Sequence, residues 1–298
     1  MPSQFRGVYS ALVTPMSKSG DIDYRKLAAF SEYLVDAGVH GITPLGSTGE
    51  FYALSPEERT KVIQTVLDAV GDKVPVVPGT NASSTREVIA FSKQAEKVGC
   101  VGVMLAAPYY SLPTEDELFA HFKAVNDAIG VPIMLYNYPG RTGVDMKPEF
   151  VAKLAKLKNI RYIKESTGEM PRIAMLKRLC GDAMGIFCGC DTIALQAFMM
   201  GATGWTGGVV NPLPRCHAQL FELSMSGQWK AAHALYEKFL PVLELMEGGG
   251  RYTCWVKAAC KLMGHDVGDP RGPLGPATPA EIATLKKALK ACASIEKS

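Results

Sequence analysis

The stretch Ile160-Arg161-Tyr162-Ile163-Lys164 indicates a buried β-strand whose last residue is a lysine. An ammonium group at that position leaves an apolar strand and enters a site walled by low-dielectric protein, where desolvation lowers its pKa. The neutral amine then available near neutrality adds to a ketone and forms a Schiff base. Considered alone, the segment is better explained by a solvated lysine at a strand end, because lysines with perturbed pKa values are the minority.

Short apolar runs similar to this one alternate with amphipathic stretches along the whole chain. The predicted strands are Val8–Val13, Gly41–Leu45, Val74–Pro78, Val101–Ala106, Ile133–Tyr136, Ile160–Lys164, Gly185–Cys188 and Thr203–Gly207. The predicted helices between them are Tyr24–Ala37, Pro56–Val70, Thr85–Val98, Glu115–Ala128, Pro148–Leu157, Pro171–Leu179 and Asp191–Met200. Strands without polar alternation are typical of a parallel sheet covered on both faces. Eight such units predict an α/β fold, a closed (β/α)8 TIM barrel rather than an open sheet.

Three helix starts carry a clear sequence signal. Ser55, Thr114 and Thr278 are each followed three residues later by a glutamate, which predicts capping boxes. After the eighth unit, three more helices are predicted at Trp229–Met246, Tyr252–Gly264 and Ala280–Ala293. We therefore expect residues 1–225 to form the catalytic (β/α)8 barrel and residues 226–298 to form a C-terminal helical extension.

Composition excludes several classes of protein. The chain has 298 residues, of which 47% are hydrophobic and 20% charged, with a net charge of +3. This surplus is too small to predict a nucleic-acid surface, and no apolar run is long enough to predict a membrane span. The N-terminal segment Met1–Arg6 lacks the pattern of a signal peptide. We expect a cytoplasmic protein without a nucleic-acid or membrane partner.

The eight cysteines form no C-x-x-C pair and have no histidine at zinc-ligand spacing. Cys188 and Cys190 are two residues apart in a predicted strand, so they are expected on one face, where they could oxidise or bind a soft metal. Buried, reduced thiols are the favoured interpretation. The sequence thus predicts neither a metal site nor a cofactor.

Polar residues at the predicted strand ends are the candidates for chemistry, because TIM-barrel active sites lie at that end. Ser47 and Thr48 lie between two glycines in GSTGE, a turn that either binds an anion with its N–H groups or is simply a tight connection. Tyr136 ends a strand with a phenol suited to acid–base work beside a Schiff base, although, considered alone, it is better explained as a core aromatic whose hydroxyl reaches water. Arg141 follows in a Gly-Pro loop, where it could clamp a carboxylate or remain a surface arginine.

Together these segments resemble the dihydrodipicolinate synthase / N-acetylneuraminate lyase family of class I, lysine-dependent aldolases. The similarity extends from Ala11-Leu12-Val13-Thr14-Pro15 to Val256-Lys257-Ala258-Ala259 and includes GSTGE, PYY, YNYPGRTG and IKESTG at strand ends. The resemblance implies a homotetramer of (β/α)8 subunits, assembled from tight dimers, that acts on a small 2-oxo acid.

Carried over residue by residue, the resemblance implies that Lys164 forms the Schiff base and that Tyr136 shuttles protons. Ser47 and Thr48 would hold the pyruvate carboxylate. Ser47 would also pass protons between Tyr136 and Tyr110, the latter contributed by the neighbouring subunit.

Three further residues complete the set that the resemblance implies. Arg141 would receive the carboxylate of the second substrate, and Gly189 would let the pyruvyl group lie close to the backbone. Thr206 would lie near the substrate, where synthases typically have an apolar residue. The segment 247–252 also departs from the family, because it replaces the N-P-I-P type segment common in synthases.

We therefore expect a Schiff-base-forming lyase that resembles dihydrodipicolinate synthases. The alternatives within the family are a catabolic 2-oxo acid aldolase, dehydratase or deaminase of sugar-acid or hydroxyproline breakdown. An alternative of another class is a non-catalytic barrel that binds a small carboxylate. The presence of both Lys164 and Tyr136 disfavours this last interpretation.

Overall fold

The computed structural model describes residues 5–296, so Met1–Gln4, at the start of the segment examined for a signal peptide, lie outside the described residues. Seven strands form one sheet in the order β2-β1-β7-β6-β5-β4-β3, and each pairing is parallel. The strands are β1 Gly7–Ala11, β2 Gly41–Thr43, β3 Val103–Ala106, β4 Ile133–Asn137, β5 Ile160–Glu165, β6 Gly185–Cys188 and β7 Gly204–Gly207. The predicted α/β TIM-barrel fold is confirmed.

The predicted strand Val74–Pro78 is not a regular strand, but its segment closes the barrel between β2 and β3. On one side Ile42 N donates to Pro75 O at 3.0 Å, and on the other Met104 N donates to Pro78 O at 2.8 Å. Proline has no N–H to donate, so a continuous ladder cannot form here. The eighth position of the barrel is therefore occupied by an irregular segment with isolated bridges to Ile42 and Met104.

Helices cover the outside of this sheet and continue after it. They are α1 Tyr24–Asp36, α2 Pro56–Val70, α3 Thr85–Lys97, α4 Glu115–Ala128, α5 Pro139–Thr142, α6 Pro148–Leu154, α7 Met170–Cys180, α8 Ala194–Met199, α9 Pro214–Met225, α10 Trp229–Gly248, α11 Tyr252–Leu262 and α12 Pro279–Leu289. The capping boxes predicted at Ser55, Thr114 and Thr278 are all present. Two differences concern the end of the barrel: α9 was not predicted, and the predicted helix Asp191–Met200 begins with a 3₁₀ turn at Asp191–Ile193.

The barrel interior is filled by side chains that alternate along the strands. They form one buried cluster of Phe5, Tyr9, Val77, Met104, Met134, Tyr136, Tyr162 and Phe187. Because successive strand residues point to opposite faces, Lys164 shares the inward face of β5 with Tyr162. The aromatic cluster closes the barrel below Lys164, so the open space lies above it, at the carboxyl ends of the strands.

The helices that follow the barrel strands pack on one another. After the barrel strands, α10 packs against α9, and α11 and α12 pack on each other and on α10. Across the described part of the chain, no helix combines the length and apolar character needed to span a membrane.

Candidate active site

Lys164 lies at the centre of the candidate site. Its strand, β5, runs between β4 and β6, and the register sets Lys164 beside Tyr136 on one side and Phe187 on the other. The side chain is buried, and its Nζ lies 4.3 Å from the centroid of the Tyr136 ring. Burial lowers the pKa of Lys164 to about 8; Asp191 opposes this effect and Arg141 adds to it. A substantial neutral fraction of the amine is therefore available for attack on a carbonyl.

The residue after the end of β6 makes room for this lysine. A Cβ built on Gly189 would lie 1.9 Å from Ser166 Oγ and 2.7 Å from Lys164 Cγ. Gly189 N also donates to Glu165 O at 2.8 Å, which holds the backbone in place. Only glycine therefore fits at this position while Lys164 and Ser166 keep their places.

A cavity of about 360 Å³ opens above Lys164 at the carboxyl ends of the strands. Six residues of the predicted site line it together: Ser47, Thr48, Tyr136, Arg141, Lys164 and Gly189. The cavity is also lined by Tyr138, Gly140, Ser166, Thr167, Cys190, Gly207, Gly208, Glu247, Gly250 and Tyr252, which the sequence analysis did not assign to the site.

Tyr136 faces the cavity from β4 and is almost completely buried. Burial raises the pKa of its phenol, while Arg141 and the hydroxyls of Ser47 and Ser166 act in the opposite direction. The phenol therefore stays protonated near neutrality and can supply a proton to a group formed on Lys164. Ser166 Oγ is buried without a hydrogen-bond partner in the described chain, so it is free to join such a transfer.

The GSTGE loop is held in place by a buried ion pair with the C-terminal helices. Lys257 Nζ of α11 lies 2.5 Å from Glu50 Oε1, and both side chains are at most 1% exposed. Glu50 has a left-handed backbone with φ of 59°, and its second oxygen accepts from Arg271 N at 2.7 Å. Removing one member of a buried pair leaves an uncompensated charge, so the pair fixes the loop that presents Ser47 and Thr48.

A polar group behind the cavity wall, centred on Asp191, was not predicted. Asp191 is buried; one of its oxygens accepts from Trp205 Nε1 at 2.8 Å, and the other accepts from the Tyr252 hydroxyl. The Tyr252 oxygen in turn accepts from Gly208 N at 2.9 Å. Burial, followed by the neighbouring Glu247, raises the pKa of Asp191.

Two adjacent glycines at the end of β7, Gly207 and Gly208, make space for Asp191 and Tyr252. A Cβ on Gly207 would lie 2.1 Å from Asp191 Oδ1, and a Cβ on Gly208 would lie 2.5 Å from Tyr252 Cε1. Gly207 therefore allows the close approach of Asp191 to the end of β7. Because Tyr252 is distant in sequence from both glycines, no local pattern reveals the match.

Two residues of the predicted site do not line the cavity. Tyr110 is 96% exposed on a loop, where it is available to another molecule and not to the cavity of its own chain. Thr206 pairs with Tyr9, whose side chain points into the barrel, so Thr206 lies on the inward face, buried and without a partner for its hydroxyl.

Cys188 and Cys190 do not share a face, contrary to the prediction. Strand β6 ends at Cys188, which packs in the core between sheet and helices, whereas Cys190 lines the cavity. The chain turns after Cys188, so the alternation of a strand no longer applies. Among residues 5–296, no three His, Cys, Asp or Glu side chains come together as a metal site would require.

Comparisons with known proteins agree with this architecture. Residues 4–292 match the model of the dihydrodipicolinate synthetase family. The 4-hydroxy-tetrahydrodipicolinate synthase of Geobacter metallireducens is 38% identical over 286 residues, which cover 95% of this chain and 98% of that protein.

Solved structures show the same similarity. The chloride-inhibited dihydrodipicolinate synthase of Acinetobacter baumannii, solved in complex with pyruvate, has a TM-score of 0.92 and 32% identity, covering 98% of this chain and 100% of that one. A protein described as the first monomeric dihydrodipicolinate synthase variant has a TM-score of 0.91 and 32% identity, covering 96% of both chains.

Proposed function

Because the chain belongs to the dihydrodipicolinate synthetase family, we propose that it forms a Schiff base between Lys164 and pyruvate and acts as a 4-hydroxy-tetrahydrodipicolinate synthase. The observation that carries this proposal is the buried lysine with a lowered pKa beside Tyr136, in a cavity of about 360 Å³. No bound cofactor is needed for this chemistry, because the lysine amine condenses with the ketone of pyruvate and so forms the imine that activates C3.

The first step is attack of the neutral Lys164 amine on the C2 carbonyl of pyruvate. A C–N bond forms, and the carbonyl oxygen takes a proton from the Tyr136 phenol to give a carbinolamine. Loss of water then leaves the protonated imine. Ser47 and Thr48 are proposed to hold the pyruvate carboxylate during these steps.

The second step creates the carbon–carbon bond. The Tyr136 phenolate left by the first step takes a C3 proton, which converts the protonated imine to an enamine, and C3 of the enamine attacks the aldehyde carbon of the second substrate. The aldehyde oxygen becomes an alkoxide and takes that proton back from the Tyr136 phenol, while the protonated imine forms again. Water then hydrolyses the imine, which releases the product and the Lys164 amine. Arg141 is proposed to bind the carboxylate of the second substrate. Arg141 lines the cavity, and its Cζ lies 5.3 Å from the centroid of the Tyr138 ring.

Covalent trapping tests the proposal directly. Borohydride with pyruvate is expected to attach a reduced pyruvyl group to Lys164, and Lys164→Ala is expected to abolish it. Lys158→Ala is a matched control, because this exposed lysine lies two residues before the same strand. An adduct on another lysine, or no adduct in the native protein, would refute the assignment.

A second candidate is a catabolic aldolase, dehydratase or deaminase that acts on a longer, hydroxylated 2-oxo acid. The polar wall formed by Glu247 and Tyr252 in the cavity favours it. A panel assay with aspartate semialdehyde, sugar-derived 2-oxo acids and pyrroline carboxylates decides between the two candidates. Turnover of pyruvate with aspartate semialdehyde alone supports the synthase.

The proposed enzyme is a homotetramer, and the two subunits of each tight dimer complete each other's sites. Tyr110 supports this arrangement, because an aromatic side chain that is 96% exposed is suited to a partner surface. We also propose a cytoplasmic location, which the eight free cysteines support, since thiols persist in a reducing compartment.

A further inference from the structure

Glu247 brings a carboxylate into the cavity from outside the barrel. It lies near the end of α10, one of the helices that follow the last strand, and it lines the cavity with Cys190, Gly250 and Tyr252. The Glu247 carboxylate is partly exposed in this cavity, so it can interact with a substrate group bound beside it and influence which substrates bind.

The carboxylate is held by four donors from the segment after β6. One oxygen accepts from Asp191 N, and the other accepts from Thr192 Oγ1 at 2.7 Å, Cys190 Sγ at 3.1 Å and Thr192 N at 3.4 Å. These contacts occupy the start of the 3₁₀ turn Asp191–Ile193, where free N–H groups would otherwise favour an anionic ligand. Glu247 therefore takes the place that an anionic end of a substrate could occupy.

A second acid lies behind this wall. The carboxylate of Asp191 is 1% exposed and is bound by Trp205 and Tyr252. Beyond the effect of burial, Glu247 raises the pKa of Asp191, so each of the two acids disfavours a charge on the other, and Asp191 itself does not line the cavity. A substrate end beside Glu247 therefore meets a region in which further negative charge is unfavourable.

The opposite flank of Lys164 is basic. In the sheet, β5 lies between β4 and β6. Arg141 belongs to α5, which follows β4, and Glu247 is bound to the segment after β6. The two residues therefore flank Lys164 on different sides of the cavity. A small molecule attached to Lys164 thus has a guanidinium on one side and a carboxylate on the other. This arrangement fits a ligand with an acceptor at one position and a donor at another.

We propose that Glu247 is a specificity-determining residue that selects a second substrate, or the remote part of a longer 2-oxo acid, carrying an ammonium or hydroxyl group on the β6 side. The inference rests on the proposed Schiff-base function and names the substrate class of that site. Glu247 repels an anionic group on the β6 side of the cavity. An apolar substrate group at that position donates no hydrogen bond to the Glu247 carboxylate and is therefore also disfavoured.

Paired substrates that differ by one donor test this proposal. L-aspartate 4-semialdehyde and succinate semialdehyde, each with pyruvate, differ only by the amino group and are compared by kcat/KM. 4-Hydroxy-2-oxoglutarate and 2-oxoglutarate differ only by the hydroxyl and are compared by the concentration that gives half-maximal borohydride trapping on Lys164. The first pair probes an ammonium and the second a hydroxyl.

The native protein is expected to favour the donor-bearing member of at least one pair by about tenfold or more, the scale of a hydrogen bond to a charged group. Glu247→Gln should reduce that preference to about threefold or less, because the neutral amide replaces the charged acceptor. Glu244→Gln is the matched control, because this exposed glutamate lies on the same helix and does not line the cavity.

Three outcomes would overturn the inference: no preference in either pair, a Glu247→Gln variant that keeps the native preference, or one that loses both members of a pair equally. The last outcome would assign Glu247 a purely structural role. Failure of the native protein to trap pyruvate at all would instead refute the proposed function, and with it this inference, so the two failures are distinguishable.

Discussion

Replacing Gly189 by alanine tests whether the backbone after β6 shapes the lysine site. The new Cβ would lie 1.9 Å from Ser166 Oγ, 2.7 Å from Lys164 Cγ and 2.8 Å from Lys164 Cε. The backbone cannot easily retreat, because Gly189 N donates to Glu165 O at 2.8 Å. To reach ordinary contact distance, Lys164 must therefore shift by about 1 Å and Ser166 Oγ by about 1.5 Å.

The expected cost follows from that displacement. Adding a methyl group to a filled site costs about 1–3 kcal/mol of the free energy of unfolding. A misplacement of about 1 Å at a reacting group lowers the rate by about 10²-fold. Gly189→Ala should therefore slow the formation of the trapped pyruvyl adduct on Lys164 by about 10²-fold, while most of the fold survives.

The assay is single-turnover trapping with pyruvate and borohydride, followed by mass spectrometry, alongside urea unfolding. Gly275→Ala is the control, because a Cβ at that glycine meets no atom within 4 Å and its backbone is outside the left-handed region. A Gly189→Ala variant that traps pyruvate within threefold of the native rate would refute the reasoning, since it would mean that Lys164 and Ser166 move without cost.

Four further outcomes are expected. Because burial lowers the pKa of Lys164 to about 8, the trapping rate should rise by about tenfold per pH unit below that value, as the neutral amine increases, and level off above it; a flat profile would contradict this. Tyr136→Phe should lower turnover by about 10²-fold or more, and a loss of only a few-fold would make Tyr136 a packing residue. Lys257→Met should leave Glu50 buried without its cation and lower the free energy of unfolding, measured in urea, by about 3–5 kcal/mol; a change below about 1 kcal/mol would show that the pair does not hold the loop. Mixing inactive Lys164→Ala and Tyr110→Phe subunits should restore part of the activity if neighbours complete each other's sites, whereas a fully active monomer would exclude this arrangement.

The elements of the barrel were predictable because their signals are local. Apolar runs without polar alternation predicted seven of the eight strand positions, and the capping boxes at Ser55, Thr114 and Thr278 marked helix starts within four residues each. The prediction of a regular strand at Val74–Pro78 was wrong, because the apolar pattern of a segment does not take into account that Pro75 and Pro78 have no N–H to donate to a neighbouring strand.

Part of the candidate site could also be predicted, because strand ends of a parallel barrel converge at one edge. Tyr136 and Lys164 lie near the ends of the neighbouring strands β4 and β5, Arg141 follows β4, and the structure brings all three to one cavity. The order of the strands in the sequence thus determined that a lysine, a phenol and a guanidinium lie at the same end of the barrel, and the family resemblance supplied their expected roles.

Tertiary structure alone decided the other wall of the cavity. Glu247 comes from a helix outside the barrel, and its carboxylate meets Thr192 across 55 positions of the chain. Tyr252 fits only because Gly208, which is 44 residues away, has no side chain. Such contacts depend on how helices dock on the sheet, which follows from packing of the whole core and leaves no periodic pattern in the sequence.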